Sequence, residues 1–158
     1  MRYSRFEELP AWNAVIELAV RTYTFTREGA FEKQGTLQDQ LERAAVSVSN
    51  NIAEGFERGT TQELLTFLYI ARGSAGEVRS MLCLIERLAS FGNFKSEISN
   101  LKSLAEGVSR QLRGWADSME NTPIKGPRYL TDKTRRIEKA KRDRDEFLHD
   151  LQSQSRGA

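Results

Sequence analysis

The chain has one cysteine, Cys83, so no internal disulfide framework can hold it together. It has one histidine, His149, close to the C-terminal end. Zinc sites built from clustered His and Cys therefore lack their ligands. So does a di-iron bundle, which needs Glu-x-x-His pairs on two helices. A Ser-His-Asp triad would have to recruit His149. Only three prolines interrupt the 158 residues, at positions 10, 123 and 127. The proline-free span from 11 to 122 favours long helices. No apolar run approaches the roughly 20 residues that cross a bilayer as a helix, and no basic start followed by an apolar run marks a signal peptide. These absences predict a cytoplasmic protein that is not an enzyme, with no metal, no cofactor and no membrane partner. Cys83 lies in an apolar helical run and is expected to be a buried, inert thiol.

Charged residues make up 29% of the chain and the hydrophobic fraction is 39%, ordinary for a helical domain with one core. The net charge of +2 hides an asymmetry. Residues 1–124 hold 14 basic and 16 acidic side chains, and residues 125–158 hold 10 and 6. A near-neutral body is thus followed by a basic tail. We expect a bundle over 1–120, a Pro/Gly linker over 121–131 and a charged helical tail over 132–158.

Apolar spacing predicts four helices. The first should run from Pro10 to Thr26 or Arg27, with Trp12, Ile16, Ala19 and Tyr23 as its inner face and Leu18 and Phe25 off it. The second should run from Leu37 to Glu54, capped by Thr36 and closed by Gly55. Its apolar stripe is Leu37, Leu41, Ala44, Val48 and Ile52. Asn50 and Asn51 are poor mid-helix residues, and one is expected to hydrogen-bond across the bundle. Glu54 reads as an exposed or capping carboxylate. Thr60, with Glu63 three residues on, should cap a third helix over 61–90.

The third helix carries a heptad stripe of Leu64, Leu68, Ala71, Ala75, Val78, Leu82 and Ile85. Gly73 and Gly76 interrupt local propensity, yet the stripe keeps phase across them. An unbroken helix with close backbone approach at the glycines follows. The preceding strand and the lysine of a phosphate-binding loop are missing there. A second stripe, Phe67, Ile70, Ser74, Met81, Leu84 and Leu88, interrupted by Glu77, lies about 100° away. It is a candidate oligomer interface; the other reading is a wide central helix buried in its own bundle. A turn at 91–94 leads to a fourth helix over 95–119. Its stripe is Ile98, Leu101, Ala105, Val108, Leu112, Trp115 and Met119. The fold class is therefore all-α, an antiparallel up-down four-helix bundle with a charged C-terminal helical tail.

Two blocks carry a family resemblance. The first is Arg43-Ala44-Ala45-x-Ser47-x-x-x-Asn51-Ile52-Ala53-Glu54-Gly55. The second is Glu63-Leu64-Leu65-Thr66-Phe67-Leu68-Tyr69-Ile70-Ala71-Arg72-Gly73-Ser74, followed by Glu77-Val78. With the Trp12 helix, residues of about 5–119 resemble the four-helix-bundle proteins encoded in intervening sequences of 23S ribosomal RNA genes. A related branch is the accessory variability protein of diversity-generating retroelements. That branch forms barrel-shaped pentamers and binds a reverse transcriptase and nucleic acid. The resemblance thus implies a homo-oligomer, a pentamer, with RNA or DNA and a reverse transcriptase or other protein as partners. The near-neutral bundle departs from the strongly basic surface such a role favours.

The residues themselves point to phosphate binding in the tail. Lys125, Arg128, Lys133, Arg135, Arg136, Lys139, Lys141, Arg142 and Arg144 form a basic segment, and Tyr129 beside it can stack on a base. Asp132, Glu138, Asp143, Asp145 and Glu146 can instead pair with these cations along a solvated helix. In the bundle, Arg43, Arg58, Arg72 and Arg79 would add a basic rim if an oligomer repeats them; singly, each reads as a salt-bridging surface residue. The expected function is a non-enzymatic oligomeric adaptor for nucleic acid or a nucleoprotein. The alternative is a protein-only scaffold that recruits a partner through the third helix and the tail.

Overall fold

Pro10 opens α1 (Pro10–Phe25) at the first helical position, where its missing N–H is not needed. It is followed by α2 (Gly35–Glu57), α3 (Thr61–Ile85) and α4 (Lys95–Glu120). This computed structural model describes residues 3–121 and, beyond them, Ala140 and Arg144. The chain divides into two units, 1–126 and 127–158, and in the second the two described residues are helical and exposed.

Each helix packs on its neighbours around a ring, α1 on α2 and α4, and α3 on α2 and α4. The links are short, so consecutive helices run antiparallel. This is an all-α four-helix bundle. The α3 heptad stripe is its spine: Leu64, Leu68, Ala71, Ala75, Val78, Leu82 and Ile85 are all buried. Facing it, α2 buries Leu41, Ala44, Ala45, Val48 and Ile52, and α4 buries Ile98, Leu101, Ala105, Val108 and Leu112. Trp115 and Met119 are only half-buried, and Ala116 takes the last core position.

One end of the bundle is closed by aromatic rings. Phe25 meets Phe31 and Phe94 edge-on at 5.2 and 5.9 Å, and Phe31 meets Phe91 at 4.7 Å. These rings come from the end of α1 and from 3-10 turns at Gly29–Phe31 and Ala89–Phe94. Short turns with a buried phenylalanine thus replace plain loops.

Several expectations change on the structure. The inner face of α1 is Val15, Leu18, Ala19, Thr22 and Phe25, while Trp12 and Ile16 are half-buried and Tyr23 is exposed. Val15, Leu18, Ala19 and Phe25 fill that inner face, and Thr22 is the polar side chain buried among them. Thr36 does not cap α2, which starts one residue earlier at Gly35 without a side-chain cap. Gly55 does not end α2 either; it is buried inside the helix. The chain reverses at Gly59, whose φ of 83° is the left-handed conformation that glycine tolerates. Thr60 does cap α3, accepting from the Glu63 N–H at 3.2 Å and donating to Glu63 Oε2 at 2.6 Å. That helix ends at Ile85, not near 90.

The glycines exchange roles. A Cβ on Gly73 or Gly76 would meet nothing within 4 Å, so no close approach occurs there. A Cβ on Gly55 would lie 2.6 Å from Phe67 Cβ and 3.4 Å from Leu64 Cα. The tight helix crossing is therefore between α2 and α3 at Gly55.

Candidate functional site

The outward side of α2 is a shallow groove. Its lining comes from Asp39, Glu42, Arg43, Val46, Ser47, Asn50, Asn51 and Glu54, with Tyr23 of α1 as a wall. The groove encloses about 450 Å³. Helical spacing explains the set: Asp39, Arg43, Val46 and Asn50 follow one another at steps of 4, 3 and 4.

Some of these groups are already engaged. Glu42 accepts from the Thr26 hydroxyl at 2.5 Å and from Gln38 Nε2 at 3.2 Å, which ties α2 to the end of α1. Glu54 is held by Arg58 at 2.5 Å. Asn51 Nδ2 donates to the Ser47 carbonyl at 2.7 Å and to Ser47 Oγ at 3.0 Å. Ser47 Oγ lies 2.9 Å from Ser74 Oγ of α3, and Ser74 also donates to the Ile70 carbonyl. Asn51 thus bonds within its own helix, contrary to the cross-bundle expectation, and the bond between helices falls to Ser47 and Ser74. Others are unengaged. Asp39, Arg43 and Asn50 have no hydrogen bond or ion pair among the described residues.

The candidate rim arginines separate. Arg58 is fully occupied: it pairs with Glu54, lies 3.8 Å from Glu63 and sits 4.8 Å over the Phe67 ring. The Glu54 hydrogen bond, and then its charge, raise the Arg58 pKa further. Arg43 opens onto the α2 groove, whereas Arg72 and Arg79 lie one heptad apart on α3, half-buried and exposed respectively. On the same flank as Arg72, the Tyr69 hydroxyl donates to Glu120 Oε1 at 2.5 Å, which raises the phenol pKa. The structure therefore does not bring the four arginines together within one chain. Of the tail candidates, Lys125, Arg128, Tyr129, Lys133, Arg135, Arg136, Lys139, Lys141 and Arg142 lie outside the described residues. Arg144 is described, and it is helical and exposed.

The second stripe of α3 is divided. Ser74 is buried against α2, and Phe67, Met81 and Leu88 are half-buried. Ile70 and Leu84 remain 46% and 50% exposed. Cys83, expected to be buried, is half-buried. On α4, Lys102 meets Glu86 at 2.8 Å, and Arg110 and Arg113 pair with Glu106 and Asp117 at 3.0 and 3.6 Å, an ordinary solvated face. Among the described residues no group of three or more His, Cys, Asp or Glu is placed to hold a metal ion, and no helix is long and apolar enough to cross a membrane.

Residues 7–114, more than half of the chain, match the family model of the 23S rRNA-intervening sequence protein. The chain belongs to that family. No curated protein matches it. The first family block splits in two on α2. Ala44, Ala45, Ile52 and Gly55 face the core, whereas Arg43, Ser47, Asn51 and Glu54 line the groove. Sequence reasoning found this block but assigned the groove no role, because an outward polar stripe looks like a solvated face. The signal available was the run of polar residues at helical spacing inside the block.

Proposed function

We propose that this chain is a non-enzymatic oligomeric adaptor that binds nucleic acid or a nucleoprotein partner, with accessory service to a reverse transcriptase as one form of that role. The observation that carries the oligomer is on α3. Ile70 and Leu84 lie 14 residues apart on one flank, about 21 Å along the axis, with half-buried Met81 and exposed Glu77 between them. Aliphatic side chains left open beside a buried core suit a second protein surface. The resemblance to a pentameric branch supports a ring of copies. The basic segment 125–144 supports a phosphate-binding arm.

The second reading is a protein-only scaffold. It is favoured by the engagement of the bundle cations, since Arg21, Arg58, Arg110 and Arg113 all have carboxylate partners.

Light scattering on the full chain, with RNA and DNA binding followed across a salt series, tests both. An oligomer is expected, dissociated by the pair Ile70→Glu and Leu84→Glu. Nucleic-acid affinity should fall with salt at a log–log slope of about −0.7 to −0.9 per phosphate contacted. Replacing Lys133, Arg135, Arg136 and Lys139 by Gln should flatten that slope. A monomer at tens of micromolar rejects the oligomer. Absence of binding at low salt rejects the nucleic-acid arm and leaves the scaffold.

A further inference from the structure

We propose that the α2 groove receives one unstacked guanine base of a single-stranded nucleic acid. The inference rests on the nucleic-acid reading above and names what this part of the bundle would recognise.

Two groups on α2 that ought to be paired are not. Asp39 and Arg43 are four residues apart on α2, the spacing at which opposite charges meet on a helix. They form no ion pair with each other or with any described residue. Both instead open into the same groove, with Val46 one turn further on as a half-buried apolar floor. Tyr23 supplies an aromatic wall that is 37% exposed, and Asn50 supplies an unengaged carboxamide at the far side of Val46.

A ligand that satisfies a free carboxylate and a free guanidinium together must present donors on one edge and acceptors on another. Among the four bases, guanine alone offers a two-donor edge, N1–H and N2–H, and a two-acceptor edge, O6 and N7. A carboxylate accepts two hydrogen bonds side by side, and a guanidinium fork donates two. Arg on the O6/N7 edge is a frequent specific contact to guanine. Single-stranded bases are also read on their Watson–Crick edges and stacked on aromatic rings, the part that Tyr23 would take. The volume of about 450 Å³ admits a single base.

The remaining charges agree with a base rather than a phosphate. Glu42 and Glu54 flank the groove and would repel a backbone phosphate. Their own partners, Thr26 with Gln38 and Arg58 respectively, fix them in place. The sugar-phosphate backbone would stay outside, where basic side chains elsewhere in the chain can meet it.

The test uses the full chain and uridine octamers of single-stranded RNA that differ only at one central position. Binding is read by fluorescence anisotropy at low salt. A central G should bind about tenfold tighter than A, C or U, the lower part of the range for one bidentate pair, since the groove is open. Asp39→Ala and Arg43→Ala should each bring the G-to-U ratio toward one, whereas Tyr23→Ala should weaken all four octamers alike. Equal affinity for all four octamers overturns the guanine site and leaves the adaptor function standing. If no octamer binds, the nucleic-acid reading falls, and guanosine titrated alone against the labelled protein decides the site. Amide shifts confined to residues around Arg43 and Asn50 would uphold a guanine pocket, and their absence would remove it.

Discussion

Replacing Gly55 by Ala sets two effects against each other, and the structure says which wins. Gly55 lies inside α2, where alanine is the better helix former by about 1 kcal/mol. The added Cβ would sit 2.6 Å from Phe67 Cβ and 3.4 Å from both Leu64 Cα and Leu64 Cδ1. A Cβ cannot rotate away, because it is fixed to the backbone, and Leu64 presents backbone as well. The α2–α3 crossing must therefore open, and overpacking of this kind costs about 1–3 kcal/mol. We place Gly55→Ala toward the upper part of that range, so the net loss after the propensity gain is about 1–2 kcal/mol. Gly73→Ala and Gly76→Ala serve as controls in α3. Both glycines are exposed and helical, with nothing within 4 Å of an added Cβ. Each control should gain roughly 0.5–1 kcal/mol. Urea unfolding of the three variants reads the sign directly, provided the m-value holds. If Gly55→Ala stabilises as the controls do, the close approach of α2 and α3 is wrong.

Two further outcomes follow from buried and paired groups. Thr22 Oγ1 is the buried side-chain polar atom that lacks a hydrogen-bond partner among the described residues. Thr22→Val keeps the shape and removes the desolvated hydroxyl, so it should stabilise the bundle by about 1 kcal/mol in the same urea assay. The carboxyls of Glu86, Glu7 and Glu8 are held below their usual range by hydrogen bonds from Lys102, Arg5 and the Ser4 backbone amide respectively. A depressed carboxylate contributes stability that is fully present above its unfolded pKa and is lost as pH falls through its folded one. The urea midpoint should therefore hold near neutral pH and decline below about pH 4.5. Lys102→Met should make that decline shallower. An unchanged acid slope in this variant would refute the Glu86 share.

The bundle was legible because its core follows a simple period. All seven residues of the α3 heptad stripe are buried, and so are the first five of α4. Periodicity failed where two faces of similar strength compete. In α1 the stripe through Trp12 and Tyr23 looked as apolar as the one through Leu18 and Phe25. What separates them is how each face packs on α2 and α4, and periodicity does not carry that information. Glycine misled for a related reason. Gly55 and Gly59 are both able to end a helix, and the choice depends on what α3 brings against position 55. The groove was harder still. Its character lies in which charged groups lack partners, and sequence spacing alone would pair Asp39 with Arg43.

The two halves of the first family block depend on each other. Small core residues let α3 come close to α2, and at that separation Ser47 Oγ lies 2.9 Å from Ser74 Oγ. The same Ser47 hydroxyl accepts from Asn51 at 3.0 Å, so the helix contact also orients a groove side chain. A wider crossing would lengthen the Ser47–Ser74 bond and leave Ser74 with only its long bond to the Ile70 carbonyl, 3.3 Å. Asn51 would then be set by Ser47 alone. The polar groove is thus shaped by the absence of a methyl group at Gly55, one turn beyond Asn51 on α2. This gives a physical reason for core-facing small residues and outward polar residues to occur in one block.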